Sequence, residues 1–114
     1  MEARHRITEL YMDERIVDYI VEIVHATREP ADSGLAELAP LVEFGASPRA
    51  TIALAQASRA HAFLRGRTFV TPDDVKAIAP DVLRHRVLTT YEAEADGIAA
   101  EDLIQKVFDN VAVP

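Results

Sequence analysis

Arg49, in the run Gly45-Ala46-Ser47-Pro48-Arg49-Ala50, is a cation where a helix should repel one. Ser47 reads as a helix N-cap and Pro48 as the first helical position, which puts Arg49 just inside the first turn. The amino end of a helix carries partial positive charge from unpaired N–H groups, so an aspartate or glutamate would be the stabilising choice there. An anion supplied from elsewhere would complete such a site, and phosphate suits both free N–H groups and a guanidinium. The plain alternative is a solvated arginine, tolerated at a cost of roughly a few tenths of a kcal/mol.

Other chemistries find no footing. A phosphate-wrapping loop of the form G-x-x-x-x-G-K-[ST] needs glycines followed by a lysine. Gly34, Gly45, Gly66 and Gly97 are the only glycines, and none precedes a lysine in that register. The four histidines (His5, His25, His61 and His85) lack H-x-x-x-H or H-x-E spacing, so no metal site is expected and each reads as an ordinary surface or partly buried side chain. Asp73 and Asp74 are neighbours that point apart on a helix, and capping accounts for both. Ser47 has no histidine or lysine within three residues to activate it. By itself the chain reads as catalytically empty.

Composition bounds the rest. A length of 114 residues with 49% hydrophobic content predicts one domain with a modest core. The net charge of −7 argues against a general nucleic-acid or anionic-membrane surface, since phosphate affinity rests on clustered Lys and Arg. No apolar run approaches the ~20 residues that span a bilayer. No secretion signal is read in Met1-Glu2-Ala3-Arg4-His5-Arg6. The absence of cysteine fits a reducing, cytoplasmic setting.

The elements that must hold Arg49 are mostly helical. Residues 1–12 are expected as an extended segment or linker, with β-prone alternation from Ile7 to Tyr11, and residues 13–114 as the helical domain. Asp13 caps a first helix reaching about Arg28. Its Ile16, Val17, Ile20, Val21, Ile23 and Val24 favour strand by propensity. Polar Glu14, Asp18, Glu22 and His25 recur every three or four positions, however, and that periodicity decides for helix. Pro30 and Asp32-Ser33-Gly34 stop it. The connector from Leu35 to Phe44 has room for one helical turn around Leu35 and Leu38.

A second helix over 48–65 is alanine-rich and ends at Gly66, a left-handed C-cap. Small side chains predict close neighbours, making it the central and most enclosed helix. Thr71-Pro72-Asp73-Asp74 starts a third helix, which Pro80 should break or kink. Val87 to Tyr91 has strand composition and is expected to pair with the N-terminal extended segment. Gly97 marks a turn, a last helix covers about 101–110, and the apolar tail Val111-Ala112-Val113-Pro114 is expected to pack down. The sum is a compact four- or five-helix bundle with a two-stranded ribbon as an option.

Gly45-Ala46-Ser47-Pro48-Arg49-Ala50 resembles the sensor-2 signature in the C-terminal lid of the MoxR family of AAA+ ATPases. The run Tyr19-Ile20-Val21-Glu22-Ile23-Val24-His25-Ala26-Thr27-Arg28 is similar to that lid's first helix and its ATR ending. Gly66-Arg67-Thr68-Phe69-Val70-Thr71-Pro72-Asp73-Asp74-Val75 resembles the G-R-x-[FY]-V-T-P-x-D-V start of a later helix. Leu83-Arg84-His85-Arg86 resembles the L-x-H-R step after it, and Val113-Pro114 also matches. The resemblance runs from about Asp13 to Pro114. Ala99 departs from it, since a capping serine or threonine would be usual there.

The resemblance implies a sensor-2 lid in which Arg49 reaches the γ-phosphate of ATP, bound with Mg in the parent protein and not by this chain alone. The implied partners are the N-terminal AAA+ nucleotide-binding domain of the same chain and neighbouring subunits of a ring, in a chaperone-like machine, with no nucleic acid and no membrane. Ser47, Pro48, Arg49, Gln56 and Arg59 are expected on the nucleotide-facing surface, with Ile52 in the same helical stripe. Three rivals remain. A histone-like module would use the long alanine-rich helix, but the net charge and Pro80 oppose it. A helix-turn-helix reader would lead with Asp73 and Asp74, the wrong charge for phosphate. A helical protein-interaction module without a nucleotide role is the third.

Overall fold

A computed structural model describes residues 11–114. Helix α1 spans Glu14–Arg28, followed by 3-10 segments at Pro30–Ser33 and Ala36–Leu41 and by strand β1, Val42–Phe44. Helices α2 (Arg49–Leu64) and α3 (Pro72–Leu83) come next. Strand β2 (Leu88–Thr89), helix α4 (Tyr91–Ala95) and helix α5 (Ala100–Asn110) complete the order. The architecture is the mainly α, lid-type bundle with a small ribbon that the sequence predicts. No helix among the described residues is long and apolar enough to cross a membrane.

Helix α1 is the buried spine. Asp13 Oδ1 accepts the Arg15 N–H at 2.9 Å and caps it. Ile16, Tyr19, Ile20, Ile23, Val24, Ala26 and Thr27 then face inward. Tyr19 meets Phe108 of α5 edge to face, with ring centroids 6.2 Å apart. The expectation that the alanine-rich helix would be the most enclosed is therefore corrected. Helix α2 buries one narrow stripe, Ala50, Leu54, Ser58 and Ala62, each four residues after the last. Alanines permit close approach, but only the face turned to α1 and α3 uses it.

The ribbon also differs from expectation. β2 pairs antiparallel with β1, Val42 opposite Thr89 and Phe44 opposite Leu88. The expected partner, Ile7 to Leu10, lies outside the described residues. Tyr11 instead bridges to Phe69, and Tyr91 opens α4. Two residues of β1 span one step of β2, a bulge that leaves Val42 half-buried and Phe44 63% exposed. Thr90 extends the ribbon, donating its hydroxyl to the Pro40 carbonyl at 2.9 Å and its N–H to the Leu41 carbonyl at 3.0 Å.

Two more expectations need correcting. Helix α3 runs through Pro80 to Leu83. Proline removes the hydrogen bond to the Lys76 carbonyl, but Lys76 is exposed and only one further turn follows, closed by the Arg84 N–H on the Pro80 carbonyl at 3.0 Å. Of the apolar tail, Val111 alone is buried, while Ala112, Val113 and Pro114 are exposed. Ala99 offers no side-chain cap to α5, yet Asp102 Oδ2 reaches back to its N–H at 2.9 Å and half-replaces one.

Candidate functional site

Helix α2 starts one residue later than the sequence reading placed it, and the Ser47 hydroxyl does not cap it. The Ser47 carbonyl accepts the Ala50 N–H at 2.8 Å and the Pro48 carbonyl accepts the Thr51 N–H at 3.1 Å. Pro48 already has helical dihedrals, φ −55° and ψ −24°, and no side chain caps this end. The first turn holds no acidic residue. Arg49 is exposed there, and among the described residues no carboxylate or other hydrogen-bond partner meets its guanidinium. Ser47 and Pro48 are exposed beside it. The arrangement is an unanswered cation at a positively polarised helix tip, suited to a phosphate held by another surface.

Two buried alanines hold this tip in place. Ala46 and Ala50 are fully buried on either side of the exposed Ser47, Pro48 and Arg49. Gly45 lies flat on the end of α1. A Cβ there would sit 2.2 Å from the Thr27 carbonyl oxygen and 2.5 Å from the Arg28 Cα, main-chain atoms that cannot swing aside. Sequence reading took the ATR ending of α1 and the Gly45 run as separate motifs, and the fold places them in contact. The glycine itself, which lets one backbone approach another closely, was the available signal in the sequence.

Gln56 and Arg59 lie about two and three turns further along α2. Together with Ile52, Ala55, Met12 and Val17 they line a mostly apolar groove of about 220 Å³ between α1 and α2. Ile52 and Gln56 are exposed and Arg59 is half-buried, its Nε buried without a partner among the described residues. The structure thus gathers Ile52, Gln56 and Arg59 on one groove, with Arg49 standing apart at the helix tip. A larger cavity of about 420 Å³ lies elsewhere, beside His25, Asp32 and Asn110. The His25–Asp32 pair in it, 3.5 Å apart, is exposed on both sides.

The carboxyl end of α2 is closed, by residues that sequence reading treated too simply. Gly66 (φ +76°) ends the helix, with its N–H on the Phe63 carbonyl and the Arg67 N–H on the Ala62 carbonyl, both 3.0 Å. Asp74 completes the expected capping box, taking the Thr71 N–H at 2.7 Å and the Thr71 hydroxyl at 3.0 Å on Oδ2. Capping is only half its role. Asp74 is 0% exposed, and its Oδ1 also binds His61 Nδ1 at 2.7 Å and the Arg67 guanidinium. Burial pushes its pKa up, but the Thr71 N–H, His61, the Thr71 hydroxyl and Arg67 together bring it below the usual carboxylate value.

Comparison with known proteins identifies the family. The AAA lid domain family model matches residues 36–107. The chain is 45% identical to chaperone MoxR1 of Mycobacterium tuberculosis over 104 residues, covering 91% of this chain and 28% of that protein. It is 36% identical to protein MoxR of Methylorubrum extorquens over 102 residues, covering 84% of this chain and 29% of that one. A solved structure of a candidate ATPase from Cytophaga hutchinsonii superposes with a TM-score of 0.92 at 39% identity, over 96% of this chain and 33% of that one. The chain thus spans about three tenths of the length of the curated relatives it matches. It belongs to the AAA lid domain family, within the MoxR group of AAA+ ATPases.

Proposed function

We propose that residues 13–114, entered through a linker at 1–12, form the sensor-2 lid of a cytoplasmic MoxR-type ATPase, with Arg49 as the residue that senses the γ-phosphate. The observation that carries this reading is Arg49, exposed at the amino end of α2 and unpaired among the described residues. The chain fits as one wall of a triphosphate site: it offers a cation and a helix tip but no phosphate-wrapping loop. ATP with Mg supplies the phosphoryl group to be transferred, held mainly by the N-terminal nucleotide-binding domain. Ser47, Pro48, Gln56 and Arg59 face that domain across the same side of α2, and the apolar groove beside Ile52 supports such packing.

Arg49 donates a charge-assisted hydrogen bond to the γ-phosphate, worth about 1.5–3 kcal/mol, and so holds the lid closed. With the γ-phosphate gone, Arg49 loses that bond and the lid is free to turn about its linker. A difference of this size shifts a two-state equilibrium roughly 10–150-fold, enough to drive neighbouring subunits in a ring.

In the intact ATPase, Arg49→Ala should leave folding unchanged and cut ATP turnover by about 10-fold or more. This chain alone should show negligible affinity when titrated with ATP. Unchanged turnover in the variant, or micromolar ATP binding by the chain alone, would contradict the proposal. A histone-like pairing of two copies predicts a dimer instead, which sedimentation of the chain would reveal.

A further inference from the structure

We propose that Thr27 is a positioning residue for Arg49, fixing the amino end of α2 to the end of α1 through one side-chain to main-chain hydrogen bond. The inference rests on the sensor reading of Arg49. Thr27 sits in the last turn of α1 and is 3% exposed. Its hydroxyl donates to the Val24 carbonyl at 2.7 Å and accepts the Ala46 N–H at 3.1 Å. The donor is thereby committed to α1 itself, and the oxygen is aimed at the loop that precedes α2. Ala46 is fully buried and stands three residues before Arg49.

The contact is tight on both sides. Gly45 has no room for a Cβ against the Thr27 and Arg28 main chain, so the loop cannot slide along α1. Ala50 closes the far side, buried and bonded through its N–H to the Ser47 carbonyl. Helix α1 is itself held by Ile20 and Ile23, both fully buried. A continuous path therefore runs from core to α1, to Thr27, to Ala46, to Arg49. Removing the hydroxyl leaves the Ala46 N–H buried without a partner, and the loop gains by lifting toward water. Arg49 would move with it, and a displacement of about 1 Å at a reacting centre can cost on the order of 100-fold in rate.

The test compares ATP turnover and ADP affinity in the intact ATPase for Thr27→Val, Thr27→Ser, Arg49→Ala and the Thr27→Val/Arg49→Ala double variant. Valine keeps the shape without the oxygen, and serine keeps the oxygen. Thr27→Val is expected to lower kcat about 10-fold with ADP affinity unchanged, and Thr27→Ser to stay within about 2-fold of wild type. On the Arg49→Ala background, Thr27→Val should add nothing, because both act through the same guanidinium. Should Thr27→Val fail to fold, Thr27→Cys carries the same comparison, since a thiol is only a weak acceptor. Wild-type turnover in Thr27→Val, or the same fold loss on both backgrounds, would overturn the positioning role. Full turnover in Arg49→Ala would instead overturn the sensor reading, and this inference with it.

Discussion

The two ends of α2 treat their arginines in opposite ways. At the carboxyl end, His61 and Arg67 converge on a fully buried carboxylate, and Gly66 closes the backbone. At the amino end Arg49 is exposed, with no acidic side chain in the first turn. The helix dipole favours cations at the first site and disfavours one at the second. Where the dipole helps, the chain adds an internal carboxylate, and where the dipole hinders, it adds nothing. That contrast separates an arginine that holds the fold together from one that the fold leaves exposed.

The largest effect should come from the closed end. Asp74→Ala strands His61 and Arg67 and opens a capping box, and is expected to cost about 3 kcal/mol in denaturant unfolding. Both side chains are partly exposed and can turn to water, which keeps the figure at the low end of the range for broken buried pairs. The pH dependence has a definite sign. The folded-state pKa of Asp74 lies below its unfolded value, so its contribution is complete above roughly pH 4 and fades as pH falls through the folded value. The stability gap between wild type and Asp74→Ala should therefore narrow on acidification below that point. A constant gap would mean that the carboxylate charge carries none of it.

A smaller effect sharpens the contrast directly. Arg67→Ala should cost about 1.5 kcal/mol, the value of one charge-assisted bond to Asp74. Arg49→Ala should change stability by no more than about 0.5 kcal/mol, as for a surface residue without partners among the described residues. Equal losses in the same unfolding assay would erase the distinction between the two ends.

Local signals made much of this fold legible. The cap at Asp13, the left-handed Gly66 and the Thr71–Asp74 box each depend on residues within four positions of one another. Helix α1 was readable despite its β-branched residues because a polar residue at every third or fourth position leaves a single apolar face. What failed was non-local. Leu88 and Thr89 found their partner in Val42–Phe44, across two intervening helices, where a nearer-looking strand sequence stood at the amino terminus. The Asp74 network hid behind its own capping role, since a residue with one sufficient local explanation prompts no search for a second. Thr27 and Ala46 lie in separate motifs, and nothing in either run announces that one accepts a hydrogen bond from the other. The place of Arg49 in a helix's first turn was legible because its misfit is local: the wrong charge at a helix start needs no tertiary structure to be noticed.

The most direct measurement is nucleotide discrimination in the intact ATPase. Affinities of Arg49→Ala for a non-hydrolysable ATP analogue and for ADP should be determined side by side. An arginine that meets the γ-phosphate predicts about 10-fold or greater weakening for the analogue and near wild-type binding of ADP. Equal weakening for both nucleotides, or none for either, would contradict the account.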